Sequence, residues 1–166
     1  MTKSAILPTD NEPISSSRKH ARAADIPDHL LDDADSAVKK IGLERMQKGS
    51  YLFQTLLASN ALVAFGSDWP VADIDPLNSI KTAVKRIPPG WDKAWNSAEC
   101  MKLTDALNAY TISAARACFL DEDIGSLSVG KMADFVILTT QSWDDFMTQG
   151  TTSVAATYVG GVQAYP

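Results

Sequence analysis

Asp68 is the side chain in this sequence best placed to do chemistry. It lies in Gly66-Ser67-Asp68-Trp69-Pro70, directly after the apolar run Ala61-Leu62-Val63-Ala64-Phe65. That run reads as a buried strand ended by a turn. A carboxylate therefore sits at the C-terminal lip of a buried strand, where barrel and α/β folds place their reactive groups. Gly66 lets the backbone turn or approach closely. Pro70 keeps Trp69 out of helical space and stiffens the exit. A residue held this way can be a metal ligand, a general base or a substrate anchor. It can equally be a turn aspartate that caps the next segment.

Few other side chains offer chemistry. The two histidines, His20 and His29, stand nine residues apart and make no His-x-His. Cys100 and Cys118 are eighteen apart with no Cys-x-x-Cys, so neither argues for a metal site. They read as free thiols in a reducing compartment. Asp32-Asp33-Ala34-Asp35 lacks the glycine and the closing glutamate of a calcium loop, and reads as the acidic opening of a helix. Trp91 and Trp95 either line a pocket or pack a long loop onto the body. Lys85 and Arg86 either meet a substrate carboxylate or are exposed helix charges.

The elements that must hold Asp68 follow from apolar spacing and punctuation. A helical stretch carries Val38, Ile41 and Leu43. A second, over 50–59, has Leu52, Phe53, Leu56 and Leu57 at helical spacing, with Ser50 as N-cap and Asn60 at the C-terminal end. After a loop over 71–75, Asp75 caps a helix that begins at Pro76 and stops before Pro88-Pro89-Gly90. Thr104 and Ser113 are expected to cap two further helical segments. The pattern then changes. A turn-rich connector over 125–134 feeds the short strand Phe135-Val136-Ile137-Leu138. Ala155-Ala156-Thr157-Tyr158-Val159 and Val162-Gln163-Ala164-Tyr165 flank Gly160-Gly161, a strong hairpin signal. Helix, strand, carboxylate lip and helix make one unit of an α/β architecture, followed by a small β module.

The chain has 166 residues, with 45% hydrophobic and 21% charged, the make-up of a globular protein. Its net charge of −5 and lack of a basic face argue against nucleic acid or an anionic membrane as a partner. No apolar run approaches the roughly 20 residues of a membrane helix. The N-terminus has no signal-peptide h-region, so a cytoplasmic location is expected. Residues 1–25 read as a disordered tail, with Ser15-Ser16-Ser17 and the basic cluster Arg18-Lys19-His20-Ala21-Arg22. Order is expected from Ile26.

Together these pieces resemble the C-terminal part of the amidohydrolase superfamily, in its third family of metal-dependent hydrolases. Gly66-Ser67-Asp68-Trp69-Pro70 is similar to the end of the eighth barrel strand. Asp105-Ala106-Leu107 through Tyr110-Thr111 to Ala114-Ala115 resembles the helix after the barrel. Gly125-Ser126-Leu127 and Gly130-Lys131-Met132-Ala133-Asp134-Phe135-Val136-Ile137-Leu138 resemble the return into a small β-sandwich domain, which Tyr158-Val159-Gly160-Gly161 closes. From about Asp28 onward the chain looks close to the plant "long after far-red" amidohydrolase-like branch.

The resemblance implies a (β/α)8 barrel enzyme that hydrolyses non-peptide carbon–nitrogen bonds in small amide-type molecules. It implies a divalent metal, usually zinc, at the barrel lip. Asp68 would be general base and metal-side carboxylate, and Trp69 would shape the substrate pocket. The family's His-x-His and single-histidine ligands have no match here, and His29 falls in the loop after the seventh strand, where a structural role is expected. A catalytic zinc needs about three protein ligands, and a barrel takes about 250 residues. The expected organisation is thus a tail over 1–25, a C-terminal barrel segment over 26–121 and part of the β-sandwich over 122–166. Such a chain is expected to bind no metal alone and to be inactive alone. It would be a truncated isoform, a partial gene model or a degenerate copy. The alternative is a non-catalytic interaction or regulatory fragment that associates with a full-length relative, with light signalling as the analogy from the plant branch.

Overall fold

The computed structural model describes residues 22–148 and 152–166. The expected tail is corrected at its end, because Arg22–Asp25 form strand β1. It runs parallel to β2 (Leu62–Phe65), with Arg22 opposite Leu62 and Asp25 opposite Phe65. Only Ala23 and Ala24 are apolar in β1, too little to announce a strand. Pairing with β2 supplies the order that composition does not. The serine run and the basic cluster up to Ala21 lie outside the described residues.

Helix α1 (His29–Ile41) starts three residues before the acidic cluster, so Asp32 falls in its first turn. The stripe it buries is Leu30, Ala34 and Ala37, while Val38 and Ile41 are exposed. Gly42, with φ 81, breaks the chain into α2 (Leu43–Gly49). Ser50 closes α2 and does not open the next helix, α3 (Phe53–Ala58). Asn60 takes the left-handed conformation expected after a helix end. Helix α4 (Pro76–Lys85) begins as its sequence predicts, with the Asp75 side chain accepting from the Leu77 amide at 2.9 Å. Thr104 and Ser113 lie inside α5 (Leu103–Tyr110) and α6 (Ile112–Ala117), not at their caps, which are Lys102 and Thr111.

The C-terminal module is an antiparallel sheet in the order β3 (Phe135–Leu138), β4 (Val154–Val159), β5 (Val162–Tyr165). Gly160 and Gly161 have φ of 56 and 79, as a two-residue hairpin turn demands. The Gly160 amide donates to Asp134 and the Gly161 amide to the Ala133 carbonyl, which ties the hairpin to the connector. An additional helix, α7 (Trp143–Thr148), separates β3 from β4. Its Phe146 enters the same core as Leu30, Phe53, Val63, Phe65 and Ile80. Trp95 is also in this core, so the long loop packs onto the body, while Trp91 remains outside and donates to Asp35.

The architecture is α/β, related to the barrel amidohydrolases. Among the described residues the parallel sheet has two strands and the antiparallel sheet three, and they form neither a closed barrel nor a complete sandwich. No helix among them is long and apolar enough to cross a membrane.

Candidate functional site

The parallel pairing sets two lips at one height. The carbonyl of Asp25, the last residue of β1, accepts from the Gly66 amide at 3.3 Å. The Gly66 carbonyl in turn accepts from the Tyr110 hydroxyl at 3.3 Å, which ties the lip to α5. Two residues later the chain folds into a turn, with the Val71 amide donating to the Asp68 carbonyl at 2.8 Å and the Trp69 amide to the Ser67 hydroxyl at 3.2 Å. Asp68 holds φ 55, the left-handed region, which L-residues enter at a cost and aspartate enters more readily than most.

The first turn of α1 faces this turn. Nε2 of His29 lies 3.7 Å from Oδ2 of Asp68, with the two side chains 30% and 49% exposed. His29 belongs to the loop-to-helix junction after β1, and the hydroxyl of Ser79 on α4 donates to the carboxylate of Asp28 just before it. The parallel register therefore brings His29 and Asp68 together. Nothing in the sequence around Arg22–Asp25 announced the strand that does so, and the only signal available was that both residues follow closely on their strand ends, His29 after Asp25 and Asp68 after Phe65.

Trp69 points elsewhere. It is 65% exposed and lines a groove of about 860 Å³ with Leu31, Asp32, Val71 and Lys85, and Asp68 is not among the lining residues. Lys85 is thus available to a ligand in that groove. Arg86 is not: it is fully buried, donating to the carbonyls of Trp95 and Tyr51 at 3.0 and 3.1 Å. Both sequence readings of Arg86, substrate anchor and exposed charge, are overturned by the left-handed turn at φ 52 that ends α4 and sends its side chain into the core. Burial pulls the guanidinium below its usual pKa, against the charges of Cys100, Glu99, Asp25 and Tyr51. Burial likewise lifts the Asp25 carboxyl above the ordinary carboxylate range, against the Ile26 amide and the charges of His29 and Arg86.

The carboxylates of Asp25, Asp28 and Asp33 are already engaged. Asp25 accepts from the Ile26 amide, Asp28 from Ser79 and Asp33 from the Tyr51 hydroxyl. Among the described residues no group of three or more His, Cys, Asp or Glu side chains is placed to hold a metal ion. Asp68 and His29 alone fall short of the roughly three protein ligands a catalytic zinc needs, so these residues do not by themselves fit a resident metal. Cys100 and Cys118 are free thiols on separate elements.

The α/β fold of the chain is related to that of the metal-dependent hydrolases. The crystal structure of an uncharacterized metal-dependent hydrolase from Pyrococcus horikoshii OT3 superposes with a TM-score of 0.56 at 26% identity, over 66% of this chain and 22% of that one. The chain belongs to the amidohydrolase family, whose model matches residues 3–165. It is 67% identical over 147 residues to Protein LONG AFTER FAR-RED 3 of Arabidopsis thaliana, covering 89% of this chain and 25% of that protein. It is 36% identical over 110 residues to the imidazolonepropionase of Deinococcus radiodurans, covering 65% of this chain and 25% of that enzyme. The chain therefore spans about a quarter of the length of these curated relatives. The family match takes in residues 3–25, which the sequence motifs left outside the resemblance.

Proposed function

We propose that this chain is the C-terminal part of a hydrolase of non-peptide carbon–nitrogen bonds, and that Asp68 is its general base. On this reading 26–121 is the last barrel segment and 122–166 part of a small β-sandwich. Asp68 takes a proton from the attacking water and returns it to the leaving amine. Trp69 bounds the substrate side, and the remaining catalytic groups, with any divalent metal, are held by polypeptide beyond the described residues. The carrying observation is the position of Asp68: a strained left-handed residue at the lip of β2, within an amidohydrolase-family chain. Strain of this kind clusters at functional sites.

The test has two arms, both with zinc and a panel of N-acyl amino acids. The chain alone is expected to give no turnover. Mixed with the N-terminal three-quarters of a family relative, it is expected to restore turnover that Asp68→Asn abolishes. Turnover by the chain alone overturns its dependence on other polypeptide. Turnover in the mixture that survives Asp68→Asn overturns the role of Asp68.

A second reading, association with a full-length relative without catalysis, draws on the open sides of both sheets. Each strand of the β1–β2 pair has one edge unpaired among the described residues, and Val136, Val159, Val162 and Tyr165 are exposed on the antiparallel sheet. Unpaired edges template further strands. Light scattering on the chain mixed with such a relative would report a complex, and two separate species would end this reading.

A further inference from the structure

We infer that His29 is a positioning residue for Asp68, its Nε2–H fixing the direction in which the carboxylate points. The inference rests on the reading of Asp68 as the reactive carboxylate, but its geometry stands apart from any activity. Nε2 of His29 is sealed from solvent and has no hydrogen-bond partner, while Oδ2 of Asp68 lies 3.7 Å away. A buried imidazole nitrogen left unsatisfied is costly, so it is retained where an acceptor is within reach. The other carboxylates around His29 are less available. Asp25 is bonded to the Ile26 amide, Asp28 to Ser79 and Asp33 to Tyr51, and Asp32 is exposed. Among the described residues, His29 is the basic group recorded within ion-pair distance of Asp68.

The separation is longer than a formed hydrogen bond of 2.7–3.2 Å. Catalytic hydrogen bonds are often long in free proteins and tighten when the site is occupied. The backbone on each side is held. Gly66 is bonded to Asp25 across the strand ends, and Ser79 bonds Asp28 beside His29. The separation of 3.7 Å exceeds the upper end of a formed hydrogen bond by only about 0.5 Å. The Asp68 side chain is about half exposed, and an Nε2–H donor on Oδ2 leaves Oδ1 with its acceptor capacity unused by His29.

The experiment is nuclear magnetic resonance on the full chain labelled with ¹⁵N and ¹³C, comparing wild type, His29→Gln, His29→Phe and Asp68→Asn. Glutamine keeps a donor near the Nε2 position and phenylalanine keeps only the shape. The expected result is a shift of the Asp68 side-chain carbon in His29→Phe that returns toward wild type in His29→Gln, with a reciprocal shift of His29 Nε2 in Asp68→Asn. Equal shifts in the glutamine and phenylalanine variants would indicate shape alone and overturn the inference. So would nuclei that ignore substitution of the other residue. The backbone spectrum reports folding for each variant, and a misfolded His29→Phe leaves the Asp68→Asn arm to decide. Turnover in the reconstituted enzyme tests Asp68 itself, so the two failures are distinct.

Discussion

Arg86 and Trp95 bond each other twice. The Trp95 amide donates to the Arg86 carbonyl at 2.7 Å, and Nε of Arg86 donates back to the Trp95 carbonyl at 3.0 Å. The guanidinium also lies over the rings of Phe53 and Trp95, 5.1 and 5.7 Å from their centroids. This clasp ends α4 and anchors the long loop after it. It also divides two adjacent cations between two tasks, with Lys85 on the groove and Arg86 in the core.

Arg86→Ala removes donors from two carbonyls, those of Trp95 and Tyr51, and leaves a void between two aromatic rings. Each unsatisfied buried acceptor costs about 1–3 kcal/mol, and the void adds to that. The expected loss is at least about 3 kcal/mol in urea unfolding. A variant as stable as wild type would mean that the clasp contributes nothing.

Asp68 combines backbone strain with its proposed task, and substitution separates the two. Asp68→Ala keeps a side chain at φ 55, whereas Asp68→Gly removes the Cβ that makes this region costly. The glycine variant should be more stable than the alanine variant by about 1 kcal/mol, with both equally inactive in the reconstituted enzyme. Thermal melts of the two variants measure the difference. Equal melting points would show that the turn is not strained.

Much of this arrangement was legible in the residues. The lip after β2, the Asp75 cap of α4 and the Gly-Gly hairpin each depend on chemistry within a few positions, and each stands where its sequence puts it. The His29–Asp68 approach depends instead on a strand pairing forty residues apart. One partner in that pairing, Arg22–Asp25, is charged at both ends and has only two alanines between. Periodicity cannot register a strand whose order comes from its neighbour's ladder. Arg86 departs from its sequence expectation for a related reason. Charge suggests exposure, but Arg86 is itself the left-handed residue that ends α4, and its own side chain is buried in the core.

Tyr51 makes stability depend on alkaline pH. Burial, and then its hydrogen bond to Asp33, raise its pKa above the usual 10.0. The folded protein therefore keeps the phenolic proton where the unfolded chain has lost it. The stabilisation is complete below pH 10 and declines as pH rises toward the folded value. Tyr51→Phe lacks this dependence, so the stability gap between wild type and variant should shrink above pH 10. A gap constant with pH in parallel denaturant titrations would contradict the shift.

Gly125 docks the connector on α6. A Cβ there would stand 2.7 Å from the Ala115 Cβ and 3.0 Å from the Ile112 Cα, at a φ of 91. Gly125→Ala combines overpacking with a forbidden backbone angle and should cost about 2–5 kcal/mol. The neighbouring backbone belongs to a helix and cannot yield as a flexible side chain would. A urea midpoint within error of wild type would show that the connector moves instead.

Trp69 and Asp68 are adjacent in sequence but face different surroundings, which separates their kinetic signatures. Trp69 is on the groove and offers a large exposed ring to a substrate, while Asp68 is outside the groove lining and beside His29. A residue that binds ground and transition states alike raises KM when removed and leaves kcat unchanged. A general base lowers kcat, typically by 10²–10⁴-fold. In enzyme reconstituted with the N-terminal part of a relative, Trp69→Ala should therefore raise KM by about tenfold, the effect of roughly 1.4 kcal/mol of lost contact, and Asp68→Asn should act on kcat. If Trp69→Ala instead lowers kcat at constant KM, the indole acts at the transition state, and the groove would have to extend to the carboxylate.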